Sequence, residues 1–394
     1  MGHDVLSAIE KRAEQIAATG AANEKLGRLD DQAVALLRET GVMRMLQPAK
    51  YGGAQATPAE FAEAVMKVAA CDGATGWVAG IVGLHPWEMA MMDSRLQEEV
   101  WGADPEVWIA SPYAPMGMLT PEDGGFRLTG RWQFSSGTDH CDWIFLGATK
   151  ADADGNPDFA AGMWHVVLPR ADYTIVEDSW DVVGLRGTGS KDVVVEGAFI
   201  PDYRVLAYER LTDGSAPRDA GLDDPSYLMP FTTVFPSGIT SAVLGICEGA
   251  LAHHLAYQTN RLQISGTAVR EDPYVLSAIG AAAAEIHASK VALLDSLRWS
   301  HDRVAAGHEL TFAERSKNRQ TQVTASWRAV RAMDEIVARS GGNGLRMDHP
   351  MQRFWRDGHM GLAHAINVPG PALHASALGE MDIVPPPGPL HSMI

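Results

Sequence analysis

The chain has little cysteine. Cys71, Cys141 and Cys247 are the only three in 394 residues, far apart and odd in number. With no C-x-x-C spacing, a disulfide framework and a structural zinc site are excluded, and buried thiols in a reducing compartment are expected. Positive charge is also scarce: 32 Lys plus Arg stand against 49 Asp plus Glu, a formal net charge of −17. That balance argues against nucleic acid and against an anionic membrane surface. No apolar run reads as a membrane span, and the N-terminus opens on an acidic-basic helical pattern rather than a signal-peptide core. A cytoplasmic protein is the expectation. Nucleotide and hydrolase motifs are missing too. Gly187-Thr188-Gly189 runs into Ser-Lys-Asp, and Gly341 to Gly344 runs into Leu-Arg, so neither completes a dinucleotide fingerprint. There is no P-loop, H-E-x-x-H or G-x-S-x-G, and no nicotinamide-binding unit. Asp152, Asp154 and Asn156 are spaced like calcium ligands. Pro157 stands where that loop needs glycine and no glutamate closes it, so no metal is expected.

What is present is length and a succession of three textures. A chain of 394 residues exceeds one compact core. The fold class read from it is α+β, mostly α: an N-terminal helical domain (1–104), a central β-barrel domain (105–208), then a linker and C-terminal four-helix bundle with a tail (209–394). Residues 4–103 carry helical spacing (Val5, Ile9, Ala13, Ile16), a helix over Asp31 to Thr40 stopped at Gly41, and Thr57 as N-cap with Pro58 at the first helical position. A further apolar helix starts at Ala74 and runs through His85-Pro86-Trp87. From Pro105 to Leu206 short alternating strands with Gly and Pro punctuation predict the β domain. Residues 208–226 read as a linker. Long helical runs follow at about 236–263, 273–307, 312–341 and 350–366. The small residues Gly280 to Ala284 suit close helix contact. Arg315, Lys317, Arg319, Arg328 and Arg331 read as a solvated or subunit-facing stripe, and Pro385 to Pro389 as an extended tail.

One stretch stands out. Residues 128–146 read as a strand, a tight turn at Ser135-Ser136-Gly137, and a second strand, with Trp132 and Phe134 on the way in and Trp143 and Phe145 on the way out. Two hydroxyls and free backbone N–H groups beside flat apolar surface are what a flavin ring needs. An ordinary hairpin turn has the same composition.

Residues 130–143 (GRWQFSSGTDHCDW), 164–166 (WHV) and 184–190 (GLRGTGS) resemble the acyl-CoA dehydrogenase superfamily, and the resemblance covers nearly the whole chain. Dehydrogenases of this kind carry a glutamate base about two helical turns after an Arg-Asp. Here Arg356-Asp357 is present, but His364-Ala365-Ile366-Asn367 stands at that distance. The segment 352–357 (QRFWRD) followed by His359 and His364, with Trp77, His85-Pro-Trp87 and 111–117 (SPYAPMG), is similar instead to the flavin-dependent aromatic monooxygenases of this fold. These are oxygenase components of two-component phenol hydroxylases. The resemblance implies reduced FMN or FAD supplied by a separate NAD(P)H-dependent reductase, O2 as co-substrate, and a homotetramer. It implies ortho-hydroxylation of a bulky phenol, a phenolic secosteroid of steroid breakdown, through a flavin C4a-hydroperoxide.

On that basis His364 and Ser136 are the candidate catalytic residues. An imidazole titrating near neutrality suits a phenol of pKa about 10, and Arg353, Asp357, Met360 and His364 share a face if their helix persists. Ser136 or its neighbour Ser135 is expected near flavin N5. Flavin contacts are further expected from Trp77, Arg131, Trp132, Gln133, Trp164, His165, Val166 and Ala365. Arg261, Gly342 and Asn343 are expected to reach it from a neighbouring subunit. His85, Trp87 and Tyr113 are candidate substrate contacts. His359 and the pair His253-His254 are expected to be structural. The alternatives are an acyl-CoA dehydrogenase with a relocated base, a relative oxygenating nitrogen or sulfur, and a catalytically silent flavin carrier.

Overall fold

The computed structural model describes residues 2–152, 154–386 and 388–394. Helices fill the first hundred residues: α1 (Gly2–Leu26), α2 (Asp31–Thr40), α3 (Pro58–Cys71), α4 (Gly73–Val82), α5 (His85–Met89) and α6 (Ser94–Trp101). Their ends follow the sequence signals. Gly41 closes α2 in the left-handed region, and Thr57 and Glu60 form a reciprocal capping box at α3. The expected helix from Ala74 through Trp87 is two helices. α4 ends at Val82, and Pro86, which has no N–H to continue a helix, opens α5.

Eight strands follow: β1 (Ile109–Ala110), β2 (Pro115–Glu122), β3 (Gly125–Ser135), β4 (Trp143–Ala151), β5 (Pro157–Pro169), β6 (Thr174–Val176), β7 (Lys191–Pro201) and β8 (Val205–Ala207). They form one mixed sheet in the order β6-β7-β3-β2-β4-β5-β8, with β1 beside β4. The terminal strands β6 and β8 do not pair, so among the described residues the sheet is open rather than a closed barrel. Residues 128–146 are not a hairpin either. β2 lies between β3 and β4, antiparallel to one and parallel to the other, so the Ser135-Ser136-Gly137 turn crosses over a strand. The 151–157 segment does join the antiparallel pair β4–β5; Ala153 within it lies outside the described residues, and no metal-ligating group occurs among the described ones.

The C-terminal half is a helical stack: α7 (Phe231–Thr259), α8 (Pro273–Ala305), α9 (Phe312–Val337), α10 (Pro350–Leu362) and α11 (Pro369–Glu380). The structure differs from the expected helices in three places. The expected linker holds short helices at Tyr208–Thr212, Ser215–Asp219 and Pro225–Leu228. α10 ends at Leu362, so His364 does not extend the helix face of Arg353, Asp357 and Met360. α7, 29 residues long with mean hydropathy 1.4 over its most apolar 18-residue window, has the length and composition of a membrane span after all. Its most apolar window is 83% buried against other helices, which reads as a core helix. Of the small residues at 280–284, only Ala282 is buried; Gly280 faces open space.

α7 packs closely on α3 and α4. A Cβ on Gly238 would lie 2.3 Å from the Gly80 carbonyl oxygen, and one on Gly80 would lie 2.6 Å from that of Gly238. This crossing holds the helical N-terminal segment against the C-terminal stack. A second tie fixes the 184–190 loop to α10. Asp357 accepts the Leu185 N–H at 2.6 Å, and Arg356 donates to Glu24 at 2.6 Å and to the Val183 carbonyl. Burial pushes the Asp357 carboxyl up to about 7. Cys141 and Cys247 are buried, Cys71 is half-buried, and none is paired.

Candidate active site

Three segments meet at the turn after β3. α4 presents Trp77, whose Nε1 donates to Ser136 Oγ at 3.1 Å. Ser136 Oγ is 2.7 Å from Ser190 Oγ, Ser190 Oγ is 2.6 Å from Thr188 Oγ1, and Thr188 donates to the Leu185 carbonyl at 2.8 Å. A hydroxyl has one proton to give. Because that of Thr188 goes to Leu185, Ser190 donates to Thr188 and Ser136 donates to Ser190. Ser136 therefore offers an incoming group a lone pair. Beside it, Ser135 Oγ is buried with no hydrogen-bond partner among the described residues, costing about 1–3 kcal/mol if left so, and the buried Thr138 hydroxyl lies against Tyr173. Phe134 adopts φ of +67° and is 58% exposed, with its ring edge-on to Trp180 at 6.2 Å. A side chain in the left-handed region stores about 1–3 kcal/mol. An orphaned hydroxyl, an aimed lone pair and a strained, exposed aromatic turn fit a flavin ring and its polar edge.

The third segment brings His364. Beyond α10 it caps the Ala365–Asn367 turn, its Nδ1 accepting the Ile366 N–H at 3.2 Å. The ring lies 5.9 Å from that of Trp77, tilted 58°. Gly361 makes room, since a Cβ there would come within 2.9 Å of the indole. Burial first, then the Arg319 guanidinium, push the His364 pKa down to about 4. The near-neutral titration expected from the sequence is thus replaced by an imidazole that is neutral at physiological pH. With Nδ1 occupied as an acceptor, its proton sits on Nε2.

Arg319 is the residue sequence reading missed. It is 5% exposed, not part of a solvated stripe, and donates to the Ile366 carbonyl at 2.7 Å and to Gln322. It lines a pocket of about 110 Å³ with Tyr208, Phe231, Phe235, Ala365 and Met393. A larger groove, about 850 Å³ and open on the surface between α8, α9 and α11, contains none of the expected site residues.

The remaining expected residues divide. Trp132 is fully buried, its Nε1 donating to the Gly147 carbonyl at 2.8 Å, so it is strand core rather than a wall for a ligand. Arg131 and Gln133, its neighbours on β3, point outward, and Arg131 pairs with Asp192 at 2.7 Å. Trp164 is half-buried under the Lys150 ammonium, which sits 3.5 Å above its ring. Val166 is fully buried, and His165 bonds Glu88 at 2.6 Å in the interior. Arg261 does meet the Gly341-Gly342-Asn343 break, donating to the Arg339 carbonyl at 3.0 Å. Within one chain that group is remote. From Val243, beside Trp77 and Gly361, to the end of α7 is roughly 24 Å at about 1.5 Å per residue. Trp87 and Tyr113 pack on Phe231, and His85 on Tyr113, but none of the three lines the pocket; Trp87 Nε1 donates to the Ser226 carbonyl at 2.7 Å. His359 and His254 are bonded to Asp334 and Ser340.

Acid sensitivity follows from these surroundings. His85, His254 and His364 are each pushed down to about 4, chiefly by burial, whereas Asp357 is pushed up to about 7. Between pH about 6.5 and 4 the unfolded chain protonates those histidines and the folded one does not, so their contribution is lost as pH falls. Asp357 acts in the opposite sense, binding its proton in the folded state. The three lowered histidines outweigh the one raised carboxyl, so unfolding takes up protons near pH 5 and stability should fall as pH drops from 7 to 5. Urea midpoints at pH 7 and pH 5 measure it; a midpoint rising at pH 5 would contradict the assignment.

Against known proteins, the family described as "Acyl-CoA dehydrogenase, C-terminal domain" matches residues 237–369. A Rhodococcus erythropolis protein named pigment production hydroxylase is 52% identical over 394 residues, covering all of both chains. The oxygenase subunit HsaA of a flavin-dependent monooxygenase from Mycobacterium tuberculosis is 40% identical over 368 residues, 93% of this chain and 92% of its own. The crystal structure of 3-HSA hydroxylase from Rhodococcus sp. RHA1 superposes with TM-score 0.93 at 36% identity, covering 100% of this chain and 99% of that one. The fold is thus that of the acyl-CoA dehydrogenases, with mostly helical content and a mixed sheet. Within it, this chain belongs to the family of oxygenase components of two-component flavin-dependent monooxygenases. It is an oxidoreductase that uses reduced flavin from a separate reductase.

Proposed function

We propose that this oxygenase hydroxylates a bulky phenol ortho to its hydroxyl group, with a phenolic secosteroid as substrate. The observation that carries the reading is the convergence of Ser136, Trp77 and His364 beside a pocket lined by Arg319. The named 3-HSA hydroxylase supports the substrate class. Bound reduced flavin supplies the oxygen-activating chemistry. The chain's residues supply position, charge and water exclusion. Ser136, its own proton committed to Ser190, would accept an N–H of the reduced flavin ring, and Ser135 would donate to its carbonyl edge. His364 presents Nε2–H, and Arg319 presents a fixed positive charge about the pocket. Both favour the phenolate over the phenol, whose pKa is otherwise about 10, and the phenolate is the electron-rich form at the ortho carbon. His364 thereby acts as a donor to the phenolate rather than as the expected base. The phenol proton leaves to solvent.

The positions of Arg261, Gly342 and Asn343 support a homotetramer in which a neighbouring chain completes the flavin site. The three unpaired cysteines accord with a reducing cytoplasm. The dehydrogenase alternative lacks support, because neutral His364 takes the place of a carboxylate base. The test supplies chemically reduced FMN or FAD, air and a phenolic secosteroid, with no reductase. A catechol product from at least one flavin is expected. No product with either flavin, together with bleaching of bound oxidised flavin by an acyl-CoA, would overturn the reading.

A further inference from the structure

A second polar group lies behind the pocket, and the hydroxylation chemistry leaves it unused. α5 contributes His85 and Glu88, β5 contributes His165, and Tyr113 stands between them. His85, Glu88 and His165 are fully buried. His165 Nδ1 lies 2.6 Å from Glu88 Oε1, and the Tyr113 ring stacks on that of His165 at 4.4 Å. Two buried imidazole nitrogens here, His85 Nε2 and His165 Nε2, have no hydrogen-bond partner among the described residues, and the Tyr113 hydroxyl lies against the Glu88 carboxylate. Such nitrogens cost free energy if left unpaired, and their clustering around one tyrosine points to a chamber that takes a polar guest.

Only one layer of rings separates this chamber from the pocket. Phe231 and Phe235 stack at 5.1 Å with planes 8° apart, and both line the pocket. Their other sides meet the chamber. Phe231 is 5.6 Å from His165 and 5.5 Å from Tyr113, and Phe235 is 5.0 Å from Tyr113. The pocket as it stands holds about 110 Å³, well below the roughly 300–1,000 Å³ of small-molecule sites. A bulky phenol enters only if a wall moves. The phenylalanine pair is at the first turn of α7, and Pro236 next to it removes the N–H that would bind that turn to the helix.

We propose that Glu88, His165 and Tyr113 form a distal polar subsite, opened by parting of Phe231 and Phe235, that takes a ketone or hydroxyl oxygen at the far end of the phenolic substrate. The inference rests on the phenol-hydroxylase reading and deepens it. The Tyr113 hydroxyl, held protonated by burial and by the Glu88 charge, donates to the substrate oxygen. The Glu88–His165 pair fixes the tyrosine ring by stacking. Such a subsite selects substrates by an atom far from the reacting carbon, since a missing partner leaves buried polar groups unpaired.

The probes are estrone, a phenolic steroid with a ketone at its far end, and deoxyestrone, the same skeleton without it. Binding is followed by tryptophan fluorescence on the full chain, flavin-free and with reduced flavin under anaerobic conditions. The natural sequence should bind estrone about tenfold more tightly than deoxyestrone. In His165→Phe and Tyr113→Phe that preference should shrink to within about twofold. Tyr113→Phe, which deletes one hydroxyl, keeps the test readable should His165→Phe not fold. Equal binding by the natural sequence, or a full preference surviving in both variants, would overturn the subsite and leave the chamber to water. If the natural sequence binds neither steroid and hydroxylates neither, the phenol reading falls and the subsite falls with it.

Discussion

His364→Ala should lower product formation at pH 7 by about 10²–10³-fold, the usual effect of deleting one donor aimed at a developing anion. Oxidation of reduced flavin should continue, so that turnover uncouples into peroxide. The ring is already neutral well above its pKa of about 4, so the natural sequence should show no inflection from this histidine between pH 5 and 8. Its service is to stabilise the phenolate, and alkaline solution performs the same service. The gap between His364→Ala and the natural sequence should therefore narrow as pH approaches the phenol pKa of about 10. His364→Asn, which keeps an N–H near the same place, should retain more activity than alanine. Rapid-quench yields of hydroxylated product across pH measure all three. A gap that stays constant with pH would point to a structural role for the ring.

Gly238→Val should be strongly destabilising. Its Cβ would sit 2.3 Å from the Gly80 carbonyl oxygen, and backbone cannot yield as a flexible side chain can. Overpacking commonly costs about 1–3 kcal/mol, and a branched side chain against backbone at this distance should reach or exceed the top of that range. Against a total stability of about 5–15 kcal/mol, the expected outcome is a urea midpoint lowered by a quarter or more, or no soluble protein. Trp77 rides on α4 in the same crossing, so the surviving fraction should also lose flavin affinity. An unchanged midpoint would show that the helices slide apart freely.

The helices and strands were legible where local chemistry decides them. Asp31 to Thr40 with Gly41, and Thr57-Pro58 with Glu60, are set by capping groups within a few residues, and the structure has them at those positions. The turn at Ser135-Ser136 was legible as a polar feature between strands, but its connection was not. Whether β3 pairs with β4 or admits β2 between them depends on contacts distant in sequence. The same limit explains the site. Trp77, Ser136 and His364 were legible through a resemblance, and folding brings them together. Trp132 looked equivalent to Trp77, yet alternation along β3 turns it into the core. Arg319 looked like surface charge, because nothing in a basic stripe reveals that one member points at the Ile366 carbonyl. Glu88 had no motif at all. Its role shows only once His165, 77 residues away, is seen beside it.

Delivery of one atom of dioxygen to a phenol held in this pocket is tested by a single turnover under 18O2 with reduced flavin and a phenolic secosteroid, followed by mass spectrometry of the product. One labelled oxygen is expected in the new hydroxyl, ortho to the original one, and its loss from the product pool is expected in His364→Ala. A product whose added oxygen comes from water, or an oxidised substrate carrying no added oxygen, would contradict that delivery.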